Sequence, residues 1–148
     1  MKFFMLKTSV ILFFFTAFAD NGHAKSPQEV EEQGIQFLNL SWEEALQKAQ
    51  AENKLIFVDF YAEWCGRCKR LKENTFPDPQ VGTLFNEMFI NLAFDIEKAD
   101  GKALAEKYDV RRHPTLLFVN GQGEVVEHAT GFQNTRRLIE LGQTALAE

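Results

Sequence analysis

Leu55-Ile56-Phe57-Val58-Asp59-Phe60-Tyr61 runs into Ala62-Glu63-Trp64-Cys65-Gly66-Arg67-Cys68-Lys69, and the reading of this stretch decides the fold. Its first seven residues are an apolar run rich in β-formers, the pattern of a strand buried on both faces. From Gly66 onward the pattern is helical and should end before Pro77. Two cysteines three residues apart therefore sit where a buried strand turns into a helix. Unpaired N–H groups and partial positive charge at a helix N-terminus favour a thiolate over a thiol, here at Cys65. Arg67, Lys69 and Arg70 add positive potential nearby. Cys68, one turn in, is close enough to close a disulfide and is expected to be more buried and less readily ionised. The pair is thus asymmetric, an outer nucleophile and an inner resolver.

On the N-terminal side, Ser41-Trp42-Glu43-Glu44 has the spacing of a capping box, which predicts a helix to about Glu52. Trp42, Ala45, Leu46 and Ala49 fall on its core-facing side. Ile35 to Leu40 is expected to be a short strand. On the C-terminal side, Asp78-Pro79 starts a short helix through about Met88. Phe89 to Ile96 reads as a strand, Gly101 to Tyr108 as a helix and Thr115 to Val119 as a third core strand. Asn120-Gly121-Gln122-Gly123 is turn chemistry, so Glu124 to Thr130 returns as the second strand of a hairpin. Asn134 caps a last helix with Leu138, Leu141, Ala145 and Leu146 on its apolar stripe. This order predicts an α/β fold, a central mixed β-sheet with helices on both faces.

The whole chain has 148 residues, 45% hydrophobic and 25% charged, which suits one ordinary domain. Residues 1–19 read as a secretory signal peptide: Lys2 and Lys7 form the positive end, Val10 to Phe18 the apolar segment and Ala17-Phe18-Ala19 a cleavage site. Cleavage after Ala24 and an uncleaved anchor are the alternatives. Residues 20–34 read as a solvated lead-in and 35–148 as the folded domain. The expected location is periplasmic or secreted. The formal charge is −5, and loss of Lys2 and Lys7 with the leader would make it −7, which argues against nucleic acid as a partner.

Export places the chain where disulfides persist, yet it holds only two cysteines. A bridge between residues three apart closes a tiny loop and contributes little cross-linking entropy, so a purely structural staple explains the pair poorly. Two thiolates are half of a tetrahedral zinc set, so no metal site is expected without a second copy of the chain. Covalent haem attachment requires a histidine where Lys69 stands.

The stretch from Phe57 to Lys69, His113-Pro114-Thr115 ahead of a strand and the order of elements together resemble the thioredoxin superfamily, over roughly Ile35 to Leu146. The lead-in helix and Phe89 to Asp109 are most similar to exported bacterial thioredoxin-like proteins and to the thioredoxin-like domain of membrane electron-transfer disulfide reductases. The resemblance implies a thioredoxin fold and thiol–disulfide exchange on protein substrates, with no cofactor beyond the Cys65–Cys68 disulfide. It implies that Cys65 attacks and Cys68 resolves, and that Pro114 is cis, faces the cysteines and presents backbone groups to a bound peptide. A trans proline that merely starts a strand is the alternative. Trp64, Gly66, Arg67, His113 and Thr115 complete the expected substrate-binding set.

Asp59 matches the family's buried acid. Burial should raise its pKa and make it a proton acceptor for Cys68; a strand-end acid hydrogen-bonded to backbone is the alternative. Many relatives carry a lysine near this acid where Ala93 or Phe94 is the nearest match, so Asp59 is expected to lack an ionic partner. They also carry proline where Arg67 stands. Trp64 is read as covering the thiol site, with core packing as the alternative. His113 either bonds substrate and adjusts the thiolate or is a half-exposed loop histidine, and His23 and His128 are read as solvated. Arg67 favours a more oxidising protein and Gly66 a reducing one. The reading leans to a reductase supplied with electrons by a membrane partner. Oxidase or isomerase activity, and a metal- or peptide-binding module without activity, are the other readings.

Overall fold

A computed structural model describes residues 34–148; the leader, most of the lead-in and His23 lie outside the described residues. Helix α1 (Trp42–Glu52) is followed by β1 (Leu55–Tyr61), α2 (Gly66–Arg70), α3 (Pro79–Met88), β2 (Phe89–Asp95), α4 (Ala99–Lys107), β3 (Thr115–Val119), β4 (Val125–Thr130) and α5 (Thr135–Leu146). The four strands form one sheet in the order β2-β1-β3-β4. Strand β1 runs parallel to β2 and antiparallel to β3, and β4 is antiparallel to β3. The fold is therefore the expected mixed sheet, with β1 at its centre.

Alternation along β1 sends its side chains to two different cores. Ile56, Val58 and Phe60 pack with Trp42, Ala45 and Ala49 of α1 and Leu104 of α4. Phe57 points the other way into a phenylalanine-rich layer with Phe85 of α3 and Leu138 and Leu141 of α5. Phe57 meets Phe85 edge-on at 4.8 Å and tilts against Phe118 at 5.2 Å. Asp59 follows Phe57 on that second face, opposite Ala93 of β2 and Leu116 of β3. Helices thus cover both faces. Among the described residues no helix is long and apolar enough to cross a membrane.

Local chemistry sets the helix starts. Ser41 and Glu44 form the reciprocal capping box, with Ser41 N–H donating to the Glu44 carboxylate at 2.8 Å and Glu44 N–H to Ser41 Oγ at 3.2 Å. Asp78 and Asn134 cap α3 and α5 through their side chains. At the hairpin, Asn120 Oδ1 accepts from the N–H groups of Gln122 and Glu124, and Gly123 takes φ +84°, a left-handed conformation open to glycine.

Three expectations need correction. Ile35–Leu40 forms no strand: Leu38 N–H reaches β2 at the Asn91 carbonyl, but no ladder of bonds to β2 is built from it. Its other bonds go elsewhere: Ile35 N–H to the Phe76 carbonyl and Gln36 N–H to Asn86 Oδ1. The helix from Gly66 changes at Leu71–Thr75 into a π-helical turn, closed by Phe76 N–H on the Leu71 carbonyl at 2.9 Å. Helix α4 begins two residues earlier than expected. Gly101 lies inside it, where a Cβ would collide with the Asp95 carbonyl.

Candidate active site

Cys65 is the N-cap of α2, and its Sγ accepts from Cys68 N–H at 3.2 Å. The two cysteines are joined in a disulfide with Cα atoms 5.3 Å apart. Helix geometry brings this about: the cap residue and the third residue of the helix lie on one side of the first turn. The expected difference in exposure is absent in this disulfide form, since Cys65 is 6% and Cys68 5% exposed. Ala62, Tyr61 and Ile96 pack around both sulfurs and bury them together.

Trp64 does not pack into the core. It is 65% exposed, held by Nε1–H to the Glu97 carboxylate at 2.9 Å and edge-on to His113 at 5.8 Å. Its place in the turn between β1 and α2, outside either element, explains why neither strand nor helix periodicity applies to it. A groove of about 690 Å³ opens beside the disulfide, lined by Trp64, Cys65, Gly66, Arg67, His113 and neighbouring residues. A Cβ on Gly66 would meet nothing within 4 Å, so this residue leaves the groove open above the helix end.

The His113–Pro114 bond is cis. The Pro114 carbonyl is taken by Gly131 N–H at 2.8 Å. Pro114 is buried, and the groove is lined instead by His113, whose backbone forms no hydrogen bond among the described residues. His113 is half-buried, and its Nδ1 lacks a partner. Thr115 is turned away from the groove: its hydroxyl donates to the Arg112 carbonyl at 2.7 Å and closes the loop. Of the six residues expected to bind substrate, Trp64, Gly66, Arg67 and His113 line the groove, while Pro114 and Thr115 are buried and do not.

Behind the disulfide lies a second cleft of about 530 Å³, bordered by Cys68, Asp59, Lys69, Lys72, Phe37 and Phe76 among others. Asp59 is 5% exposed, and neither carboxylate oxygen has a protein hydrogen bond; Oδ1 is fully enclosed. The backbone-bonded alternative is thereby excluded. Burial pushes the Asp59 carboxyl up to about 7 from an ordinary 3.8, against the opposing pull of the Lys72 ammonium. Asp59 therefore has a cation nearby after all. Ala93 does face it across the β1–β2 pairing, but the charge comes from the π-helical turn. Lys72 follows Cys68 by four residues, a one-face helical spacing that was available as a signal in the sequence.

The three cations expected to surround the thiolate are dispersed. Arg67 lines the front groove, Lys69 lines the rear cleft, and Arg70 stacks on Phe132 at 4.4 Å. Exposed His128 sits on the edge strand, away from both sulfurs. Among the described residues no group of three or more His, Cys, Asp or Glu side chains is assembled that could hold a metal ion.

Fold and site define a thioredoxin-fold chain with its cysteine pair at the amino end of the first helix after the central strand. The chain belongs to the thioredoxin-like family, whose model matches residues 36–121. It is similar to the solution structure of a candidate disulphide-isomerase from Bacteroides thetaiotaomicron, at 44% identity over 78% of this chain and 97% of that one, TM-score 0.67. The oxidised C-terminal domain of DsbD from Neisseria meningitidis is 26% identical, with 70% and 91% coverage and TM-score 0.59. Thiol:disulfide interchange protein DsbD of Tatumella citrea is 33% identical over 128 residues, 83% of this chain and 22% of that protein. The chain spans about a fifth of the length of the curated relatives it matches.

Proposed function

We propose that this chain is a thiol–disulfide oxidoreductase acting on protein disulfides in an exported compartment, in the reducing direction. The observation that carries the reading is the disulfide at the amino end of α2 with a proton-accepting carboxyl behind its second sulfur. In the dithiol form, the Cys65 thiolate attacks one sulfur of a substrate disulfide; that S–S bond breaks and the other substrate sulfur leaves as a thiolate. Asp59 takes the Cys68 proton through the rear cleft, and the Cys68 thiolate attacks the Cys65 sulfur of the mixed disulfide. The second substrate thiolate leaves, two electrons have passed to the substrate, and Cys65–Cys68 is oxidised. A membrane partner that supplies electrons restores the dithiol. His113 offers its unpaired backbone groups to an extended substrate segment, Trp64 borders that segment, and no cofactor beyond the disulfide is needed.

The names of the relatives, thiol:disulfide interchange protein and candidate disulphide-isomerase, support exchange chemistry, and the basic-then-apolar leader supports export. The second of those names favours an isomerase as the other reading, in which Cys65 attacks and is released again without net oxidation. A C68A variant tests the activity: it should accumulate a mixed disulfide through Cys65 with a disulfide-bonded protein such as insulin. Absence of that adduct would overturn the assignment. Equilibration with glutathione tests the direction, since a potential near that of strong oxidants, about −120 mV, would reverse the reductase reading.

A further inference from the structure

The groove in front of Cys65 is basic although the chain as a whole carries −5. Its lining includes Arg67, Arg111 and Arg112 and not one acidic residue. Elsewhere among the described residues arginines are engaged: Arg70 stacks on Phe132, and Arg136 and Arg137 pair with Glu140. Arg111 pairs with Asp109, which does not line the groove. Arg67 and Arg112 alone among the described arginines have neither an ion-pair nor a ring partner, and both are exposed on the groove. Arg67 extends across it, its Nη1 lying 3.9 Å from where a Cβ of Gly131 would stand. Glu97 is bonded to Trp64 and does not line the groove, so the charged side chains that line it are the three arginines.

Guanidinium forks without partners, aimed at an open groove, are matched by carboxylates. We propose that this protein selects substrate segments carrying Asp or Glu beside the target cysteine, bound in the Cys65 groove between Arg67 and Arg112. The proposal deepens the exchange reading and rests on it. Because both guanidiniums are exposed, their attraction acts mainly on encounter and binding and weakens with salt.

The test uses three short peptides, each with one cysteine held as a mixed disulfide with 2-mercaptoethanol and flanked by acidic, neutral amide or basic residues. Cys65 attacks the peptide sulfur and releases mercaptoethanol, Cys68 then displaces the peptide thiol, and dithiothreitol returns the enzyme to the dithiol. Rates are divided by those of dithiothreitol alone, which removes the effect of the flanking charges on intrinsic reactivity. At about 20 mM salt the acidic peptide should show a normalised kcat/KM roughly tenfold above the neutral one, carried by KM, with the basic peptide lowest. At about 0.5 M salt the spread should collapse. In R112E the acidic-to-neutral ratio should fall to one or below, and a ratio is insensitive to how much of the variant is folded. Equal normalised rates for the three peptides, or a preference that survives high salt, overturn the selectivity and leave the exchange activity standing. No exchange with any peptide defeats the activity reading and the selectivity with it.

Discussion

The two sulfurs of the Cys65–Cys68 disulfide look out on unlike surroundings. In front of Cys65 is an open groove edged by an exposed tryptophan and arginines; behind Cys68 is a cleft bordered by Phe37 and Phe76 beside one buried carboxyl. The contrast suits the roles proposed for the two sides. Recognition of a protein segment needs exposed groups that a partner can reach. A carboxyl that is to accept a proton near neutral pH must have its charge disfavoured, and at Asp59 it is burial that does so. Strand β1 places Asp59 at the rear and the turn after it places Trp64 at the front, so the disulfide has a different setting on each side.

The largest expected effect comes from separating the sulfurs. C65S should abolish exchange, a loss of at least about 10³-fold, because the attacking group is gone. C68S should still attack and should stall as the mixed disulfide. Free thiol counts and mass spectrometry of the trapped species distinguish the two, and equal stalling by both variants would show that front and rear are not divided as described.

Asp59→Asn comes next. Resolution of the mixed disulfide should slow by about 10²-fold at pH 7, and the rise of wild-type rate through pH 7 should flatten. Stability should move the opposite way. The folded-state pKa lies above the ordinary value, so between about 4 and 7 the native state holds a proton that the unfolded chain has released. Wild-type stability therefore falls as pH rises through that window, and above it the cost is fully present. Asparagine never ionises, so the variant should be more stable at pH 8 by at most about 4 kcal/mol, measured by denaturant unfolding in the disulfide form. A variant that resolves normally, or that loses stability at pH 8, would break the account of the rear cleft.

Lys72→Met sharpens that account with a smaller effect. Removing the opposing ammonium should move the Asp59 limb of the pH–rate profile to higher pH and lower the rate at pH 7 by less than about tenfold. An unmoved profile would show that Lys72 shares the cleft without acting on the carboxyl.

Much of the architecture was legible because its signals are local. The Ser41–Glu44 box, the apolar run of β1 and the Asp78-Pro79 start each declare themselves within a few residues, and α1, β1 and β3 have the expected boundaries. The segment 35–40 was not legible, because whether extended chain becomes a strand depends on distant partners, here Phe76, Asn86 and a single carbonyl of β2. The π-helical turn likewise ends at a contact between remote parts of the chain, Thr75 Oγ1 donating to the Gln133 carbonyl. At the site, Cys65, Cys68 and Asp59 could be placed from spacing and strand alternation. The two clefts could not, since Arg112 and His113 meet Arg67 only through the crossing of α2 with the loop before β3.

The smallest expected effect belongs to Trp64, and it asks whether the front rim is binding surface or scaffold. At 65% exposure the ring has little apolar area to lose on truncation, and its one hydrogen bond goes to a carboxylate in contact with solvent. Trp64→Ala should therefore cost no more than about 1 kcal/mol of stability, in line with substitutions away from the core. If the indole borders a bound substrate segment, the same variant should raise KM for a protein disulfide by a few-fold, roughly three to ten, with kcat nearly unchanged. A large loss of stability would return Trp64 to the core. A fall in kcat at constant KM would place it beside the reacting sulfurs, and the front groove would then share in the chemistry that the burial of Asp59 otherwise confines to the rear.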